Sequence, residues 1–503
     1  MHELLTPQQM AEADRLAAEC IGESYPLMLR AGEVLAQIIL ERFVEVRAVD
    51  VLCGPGNNGG DGYVLATILR EHGLGVRIWR AEEPAAGTDA ARAAGECTVE
   101  RFDLASFQPD TSNLVVDALF GAGLARPLEG VYGDALRRCA EAKAPILAVD
   151  LPSGVSGGSG QVIGTAAAAE LTVTFFRKKP GHLLFPGRSL CGEVVVADIG
   201  IPGNVLQSID IRCHENLSSS WRHLLPRPSF DSHKYRRGHV GVFSGGTTAT
   251  GAARMSAMAA ARAGAGAVTL LSPASALAVN AVHLTSIMLR RIEDPEELST
   301  FLNERELASV VLGPGFGLGE KVRNFADVLL RFTSRSGRRL KVVLDADALT
   351  GFAGDPEPLF EAAKENGGGT VLTPHEGEFA RIFPDIAAAA ELSKVDRARQ
   401  AAERSGAVMV LKGADTVIAY PDGQAAINSN GTPYLATAGS GDVLAGMIAG
   451  LMAQGMPPFE AACAAVYLHA ETARSLGPGL IAEDLPARLP VILSAYLEPP
   501  ARG

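Results

Sequence analysis

From residue 7 to residue 39 the apolar positions recur with helical spacing. Met10, Ala13, Leu16 and Ala17 follow Thr6, which predicts a helix from Pro7 to Cys20 with Thr6 as its N-cap. Leu27, Leu35, Ile38 and Ile39 predict a second helix starting at Pro26. The pattern then shortens into apolar runs of four to six residues, the signature of strands buried on both faces. They fall at Ala48 to Cys53, Val76 to Trp79, Leu114 to Asp117 and Ile146 to Asp150. Between the first two lie a glycine-rich loop, Gly54 to Gly62, and a helix from Tyr63 to His72, together a βαβ unit. Similar runs recur at Val240 to Phe243, Val268 to Leu271, Ser309 to Leu312, Val342 to Leu344, Thr370 to Leu372, Val408 to Leu411 and Val417 to Ala419. Most alternate with helical segments, so the expected class is α/β with three layers in each of two domains. Residues 216 to 233 mix serine and proline without sustained periodicity, which sets the expected domains at 1–218 and 234–503 with a linker at 219–233.

Polar residues gather where the strands end. In the first half, Cys53 runs straight into Gly54-Pro55-Gly56-Asn57-Asn58-Gly59-Gly60-Asp61-Gly62. Gly54, Gly56 and Gly59 formally match a dinucleotide fingerprint, with Glu82 or Glu83 as the acid for a ribose. Pro55 has no N–H to offer, however, and the paired asparagines exceed what that fingerprint needs. Asn and Asp oxygens suit a polar ring or a hard cation, and the glycines admit a phosphate or ribose. Two further strand ends repeat the arrangement: Asp117 leads into Ala118-Leu119-Phe120-Gly121-Ala122-Gly123-Leu124-Ala125-Arg126-Pro127, and Asp150 into Leu151-Pro152-Ser153-Gly154. A single terminal aspartate is usually a turn former; three polar ends on one parallel sheet point to one site.

The second half is punctuated in the same way. Its strand ends carry Ser244-Gly245-Gly246, Gly313-Pro314-Gly315-Phe316-Gly317, Asp345-Ala346-Asp347, Pro374-His375-Glu376-Gly377-Glu378 and Lys412-Gly413-Ala414-Asp415-Thr416. The segment Thr437-Ala438-Gly439-Ser440-Gly441-Asp442 then opens an apolar helix through Val443, Leu444, Met447, Ile448 and Leu451. Glycines at a helix start bring unpaired N–H donors and the positive end of the dipole against an anion. Asp442, in the first turn, could cap the helix or take a proton from a hydroxyl, and Gly446 would let another helix approach closely.

Composition narrows the partners. The 503 residues carry a net charge of −12, with 47% hydrophobic and 20% charged residues, so a soluble globular protein is expected and binding along a nucleic-acid backbone is not. Seven cysteines in odd number, without a CxxC pair, argue against a disulfide framework or a structural zinc site. With no signal-like start and no membrane-length apolar run, the cytoplasm is the expected location and no membrane partner is expected.

The trio GPGNNGGDG, DALFGAGL and AVDLPSG resembles the NAD(P)HX epimerase family, whose fold is Rossmann-like. Leu27-Met28, Ala31-Gly32, Phe175 to Gly181 and Asp198 to Pro202 fit the same family, although Leu29 and Arg30 look like variants. The ordered set Asp345-Ala346-Asp347, PHEGE, KGADT and GSGD, closed by Ala465 to His469 and Ala482 to Pro486, resembles the ribokinase-like ADP- or ATP-dependent NAD(P)HX dehydratases. The resemblance implies that Asn57, Asn58, Gly59, Gly60, Asp61, Gly121, Ala122, Gly123, Leu124, Ala125, Arg126, Pro127 and Asp150 hold a hydrated nicotinamide nucleotide. It implies a potassium ion on Asn58, Asp117 and Ser153; residue types alone leave sodium and magnesium open. In the second half it implies substrate contacts from Gly251, Ala252, Gly315, His375 and Asp442, and nucleotide contacts from Lys412, Gly413, Ala414, Asp415, Thr416 and Gly441. Asp442 is the expected base of dehydration and Asp150 that of epimerisation; Glu378 is expected to order water around magnesium. The implied substrates are NADHX and NADPHX, with ADP as phosphoryl donor because the two activities are fused in one chain, and a homo-oligomer is expected. Two other readings stand beside this one: a kinase for a vitamin alcohol in the second half, which shares the GSGD turn, and a non-catalytic scaffold module in the first.

Overall fold

The computed structural model describes residues 2–124, 126–227 and 236–497. The chain forms two compact units, which divide after His214.

In the first unit a seven-stranded sheet runs in the order β3-β2-β1-β4-β5-β6-β7, with every neighbouring pair parallel. The strands are β1 (Ala48–Cys53), β2 (Gly75–Arg80), β3 (Arg101–Asp103), β4 (Leu114–Ala118), β5 (Ile146–Val149), β6 (Leu171–Phe175) and β7 (Glu193–Ala197). From β1 the chain winds outward to β2 and β3, then returns to β4 on the other side. That reversal leaves a crevice at the carboxyl ends of β1 and β4, where such folds bind ligands. The helix Pro7–Ile21 is capped at Thr6 and buries Met10, Ala13 and Ala17. The capping is reciprocal, Thr6 accepting from the Gln9 N–H and Gln9 accepting from that of Thr6.

One expected element is corrected here. The helix after β1 spans Asn57–Glu71, starting at Asn57 rather than at Tyr63, with Gly56 at its N-cap. Asparagine and glycine are poor helix formers, which is why the segment reads as a loop. The glycines are there because this helix is packed unusually close. A Cβ on Gly59 would lie 1.9 Å from the Gly54 carbonyl oxygen, and one on Gly62 would lie 2.9 Å from Ala118 Cβ.

The second unit is built on β9 (His239–Phe243), β10 (Ala267–Ser272), β11 (Met288–Arg291), β12 (Ser309–Leu312), β13 (Lys341–Leu344), β14 (Thr370–Leu372), β15 (Val408–Leu411), β16 (Val417–Ala419) and β17 (Ala425–Ile427). With β8 (Cys213–Glu215) at one edge the order is β11-β10-β9-β12-β13-β14-β15-β16-β17-β8. The pairs from β11 through β15 are parallel, whereas β16 and β17 join antiparallel. The chain again reverses direction at the switch between β9 and β12. In both units a glycine closes that switch against the facing turn. A Cβ on Gly54 would lie 1.8 Å from the Leu119 carbonyl oxygen, and one on Gly245 would lie 1.7 Å from that of Gly315. Of the stretch expected as a linker, Trp221 and Leu225 belong to the core of the second unit, and residues 228–233 lie outside the described residues.

Candidate functional site

In the first unit the strand ends enclose a cavity of about 730 Å³. Asn57, Asn58 and Asp61 line it from the helix that follows β1; Gly121 to Leu124, Arg126 and Pro127 from the turn after β4; and Asp150 from the end of β5. Gly59 and Gly60 are buried in that helix, and Ala125 lies outside the described residues. Neither Glu82 nor Glu83 lines the cavity, and Glu83 is paired with Arg80.

Asp150 sits just past β5 with φ 66°, a left-handed conformation that turns its carboxylate back over the strand ends. The carboxylate accepts from Lys179 Nζ at 2.5 Å, from Thr174 Oγ1 at 2.9 Å and from the Ala122 N–H at 2.8 Å. Burial works against its charge, but Lys179 and these donors prevail and hold its pKa down to about 2. It is therefore an ionised acceptor at neutral pH. Beneath it, His182 Nδ1 accepts the Lys179 N–H at 2.9 Å, so Nε2 carries the proton and donates to the Asp150 carbonyl at 2.8 Å. Burial and Lys179 lower the His182 pKa to about 4, which keeps the ring neutral. Asp61 differs from Asp150: burial, Asp150 and Asp14 push its pKa well above the usual carboxylate range. Sequence reasoning missed Lys179 as the partner of Asp150 and Asp14 as a wall of the cavity. The available signal was Asp14 one turn after Met10, a carboxylate bordering the buried face of its helix.

Asp117 and Ser153, two of the expected cation ligands, are joined directly. Ser153 donates through its N–H to Asp117 Oδ2 at 2.8 Å and through Oγ to Oδ1 at 2.6 Å, and the Phe120 carbonyl lies 3.0 Å from the same hydroxyl. Asn58 makes no bond to either, and its buried Nδ2 has no partner. Every candidate ligand atom here is an oxygen, a donor set that fits a hard cation.

In the second unit the strand ends bring five charged or polar groups together. Lys412, after β15, donates to Asp345 Oδ1 at 2.8 Å and stands 3.9 Å from Glu378 Oε2. Burial opposes the lysine's charge, but Asp345, Glu378 and Asp442 outweigh it and raise its pKa. Ala346 turns with φ 48°, setting Asp345 on one side and Asp347 on the other, where Asp347 Oδ2 accepts the Gly317 N–H at 2.8 Å. His375 caps the helix Glu376–Ile382: its Nδ1 accepts from the Gly377 and Glu378 N–H groups, at 3.0 and 3.2 Å. The proton of the neutral ring is thereby on Nε2, 3.5 Å from Glu378 Oε1. His375 thus has a structural task besides the substrate contact expected of it.

The helix Ser440–Ala453 begins at Gly439, φ 90°, with no side-chain cap, so Asp442 is free of the capping role. Its pKa rises to about 6, chiefly through burial and the neighbouring Asp345, against the pull of Lys412. The helix packs on Gly251–Arg262, where Ser256 Oγ donates to the Asp442 carbonyl at 2.6 Å and a Cβ on Gly446 would lie 2.1 Å from the Ser256 carbonyl oxygen. Gly251 and Ala252 open that partner helix, and Gly315 stands in the switch turn beside Gly245. Gly441 borders Lys412, whose Nζ would lie 3.3 Å from an added Cβ. In the expected nucleotide segment, Thr416 Oγ1 closes a turn onto Gly413, and Asp415 accepts Lys394 Nζ at 2.7 Å. The Asp415 side chain is therefore committed to holding the Lys412 to Thr416 turn in place. Asp345, to which the sequence reading gave no role, is the anchor of Lys412.

Comparison with known proteins matches each half. Residues 24–181 match the family model described as YjeF-related protein N-terminus, and residues 240–489 the model described as NAD(P)H-hydrate dehydratase. A bifunctional NAD(P)H-hydrate repair enzyme of Moorella thermoacetica is 36% identical over 97% of this chain and 96% of its own length. Its counterpart in Escherichia coli is 32% identical over 96% and 92%. The crystal structure of an ADP/ATP-dependent NAD(P)H-hydrate dehydratase from Bacillus subtilis, co-crystallised with ATP and Mg2+, covers 56% of this chain and 98% of its own at 28% identity, with a TM-score of 0.49. With relatives matched end to end and both domain models in sequence, the chain belongs to the family of bifunctional NAD(P)H-hydrate repair enzymes.

Proposed function

We propose that the chain repairs hydrated NADH and NADPH in two steps. The first unit interconverts the R and S hydrates. The second dehydrates the S hydrate, taking the β-phosphoryl of ADP and releasing AMP and phosphate. The observation that carries this reading is Asp442, an uncapped carboxylate at the start of a glycine-led helix, among Lys412, Asp345 and Glu378. Above pH 6 it is ionised and can take the proton of a substrate hydroxyl. The alkoxide then attacks the phosphoryl, whose developing charge meets the N–H groups of the GSGD turn. Phosphate leaves with the carbon–oxygen electrons as the ring nitrogen's lone pair pushes in, and loss of a ring C–H proton restores the dihydronicotinamide. A simple kinase would stop at the phosphorylated alcohol.

Gly441 and the Lys412 to Thr416 turn are proposed to hold the nucleotide, and Gly251, Ala252, Gly315 and His375 the hydrate. The carboxylates around Lys412 offer only oxygen, but no three of the acidic or histidine side chains among the described residues are grouped to hold a metal by themselves. A magnesium ion would therefore be held chiefly by the nucleotide's phosphates, with Glu378 holding its water shell, and would supply charge neutralisation there. In the first unit the oxygens of Asp117, Ser153 and Asn58 would hold a potassium ion, which would supply a fixed positive charge beside the substrate. The cysteines of the chain are free thiols, which suits a reducing compartment, and no helix among the described residues is long and apolar enough to cross a membrane.

The donor is tested by product analysis. With S hydrate and ADP, AMP and phosphate should appear in step with dihydronicotinamide, and ATP should serve far less well. More efficient turnover with ATP, yielding ADP, would overturn the choice of donor.

A further inference from the structure

We infer that Asp14 is the proton donor of the first unit's reaction, acting across the cavity from the base Asp150. The inference rests on the reading of that cavity as the epimerase site. Three observations support it. The helix Pro7–Ile21 forms one wall, with Met10 and Asp14 on successive turns of its cavity face. Asp14 is open to the cavity and makes no hydrogen bond or ion pair among the described residues, so its carboxyl is free for a ligand. The charged groups that face it are Lys179, Asp150 and Asp61, with Arg126, Asp89 and Glu129 further around the rim.

The two carboxyls differ in how readily they hold a proton. Asp150 is kept ionised by Lys179 and by two further donors, Thr174 Oγ1 and the Ala122 N–H. At Asp14 the cavity walls exclude enough water that, with Asp150 adding to the effect and Lys179 opposing it, the pKa rises to about 6, even though the side chain is accessible through the cavity mouth. Two carboxyl groups whose environments drive their pKa values apart are the usual equipment for paired acid and base work.

The hydrated nicotinamide is a carbinolamine, its hydroxyl-bearing carbon attached to the ring nitrogen, and inverting that carbon needs both groups. The Asp14 carboxyl gives its proton to the hydroxyl. The carbon–oxygen bond breaks, water departs, and the nitrogen lone pair forms the C=N⁺ bond. A water on the opposite face then adds to the carbon, the C=N⁺ electrons return to nitrogen, and the Asp150 carboxylate takes the proton that this water releases. Asp14 ends ionised and Asp150 protonated, and exchange with solvent resets the pair.

The test uses the full chain, the R hydrate of NADH and water enriched in ¹⁸O. Asp14→Asn keeps the size and breaks no hydrogen bond, so the fold and the second unit's turnover of S hydrate should survive. Epimerisation should fall by about 10²–10⁴-fold, the range for loss of a positioned acid. The wild-type rate should decline as pH rises through about 6, as a required acid demands, and the variant should lose that decline. Label should enter the hydroxyl at the epimerisation rate. An active wild type beside an Asp14→Asn variant of equal rate and equal pH profile would overturn the role of Asp14, and epimerisation without label uptake would overturn the step. A wild type that does not epimerise at all would overturn the reading of the cavity itself.

Discussion

Lys412 Nζ lies 2.8 Å from Asp345 Oδ1, an ion pair linking the end of β15 to the end of β13 under the helix that carries Asp442. Asp345 is 2% exposed and Lys412 19%, so the charges are largely withdrawn from water and depend on each other. Replacing Lys412 by Met leaves Asp345 and Glu378 without their cation. Breaking one side of a buried pair costs about 3–5 kcal/mol. Lys412→Met should therefore unfold at clearly lower urea and lose dehydratase turnover, whereas the double variant Lys412→Met/Asp345→Leu should recover stability without activity. Circular dichroism against urea measures the first effect and nucleotide turnover the second.

Asp442→Asn keeps side-chain size and cannot accept a proton. Dehydration should fall by about 10²–10⁴-fold while ADP still binds. The wild-type profile has a definite sign: the carboxylate is the active form and its pKa is raised to about 6, so the rate should plateau above that pH and fall about tenfold per unit below it. Steady-state rates from pH 5 to 8, with ADP binding measured by calorimetry, check both statements.

Gly446→Ala places a methyl group 2.1 Å from the Ser256 carbonyl oxygen. That neighbour is backbone and cannot rotate away, so the two helices must separate. Overpacking of this kind costs about 1–3 kcal/mol. Because Ser256 also holds the Asp442 carbonyl, the variant should lose dehydratase rate along with stability, and urea titration beside the rate measurement would show it.

The two activities should separate by mutation. Asp117 is 1% exposed and takes both the N–H and the hydroxyl of Ser153, so Asp117→Ala disturbs the turns after β4 and β5. Epimerisation should be crippled and its dependence on potassium lost, while turnover of pure S hydrate stays near wild type. Folded Asp117→Ala protein that has lost both activities would contradict a two-site enzyme.

What could be read from the sequence follows from how locally each feature is encoded. The buried strands β1, β4, β12 and β15 are continuous apolar runs, and their polar ends were legible because aspartate and glycine break those runs abruptly. The edge strands β3 and β11 escaped because they carry charged residues on partly exposed faces, which no apolar run announces. The Asn57–Glu71 helix was hidden by its own glycines, whose purpose is close contact with the Gly54 backbone and with Ala118 at the end of β4. Lys179 and Asp345 join their sites through partners 29 and 67 residues away, Asp14 faces groups more than a hundred residues on, and spacing along a chain does not encode such encounters.

The central claim is that one chain returns hydrated dinucleotide to its reduced form at the expense of a nucleotide. The most direct measurement incubates the protein with chemically hydrated NADH, a mixture of both hydrates, with and without ADP, and follows the dihydronicotinamide absorbance. With ADP, the absorbance should recover to nearly the full amount of both hydrates, with one AMP formed per NADH; without nucleotide it should stay flat. Accumulation of a phosphorylated hydrate without recovery of absorbance, or recovery that ignores nucleotide, would contradict the account.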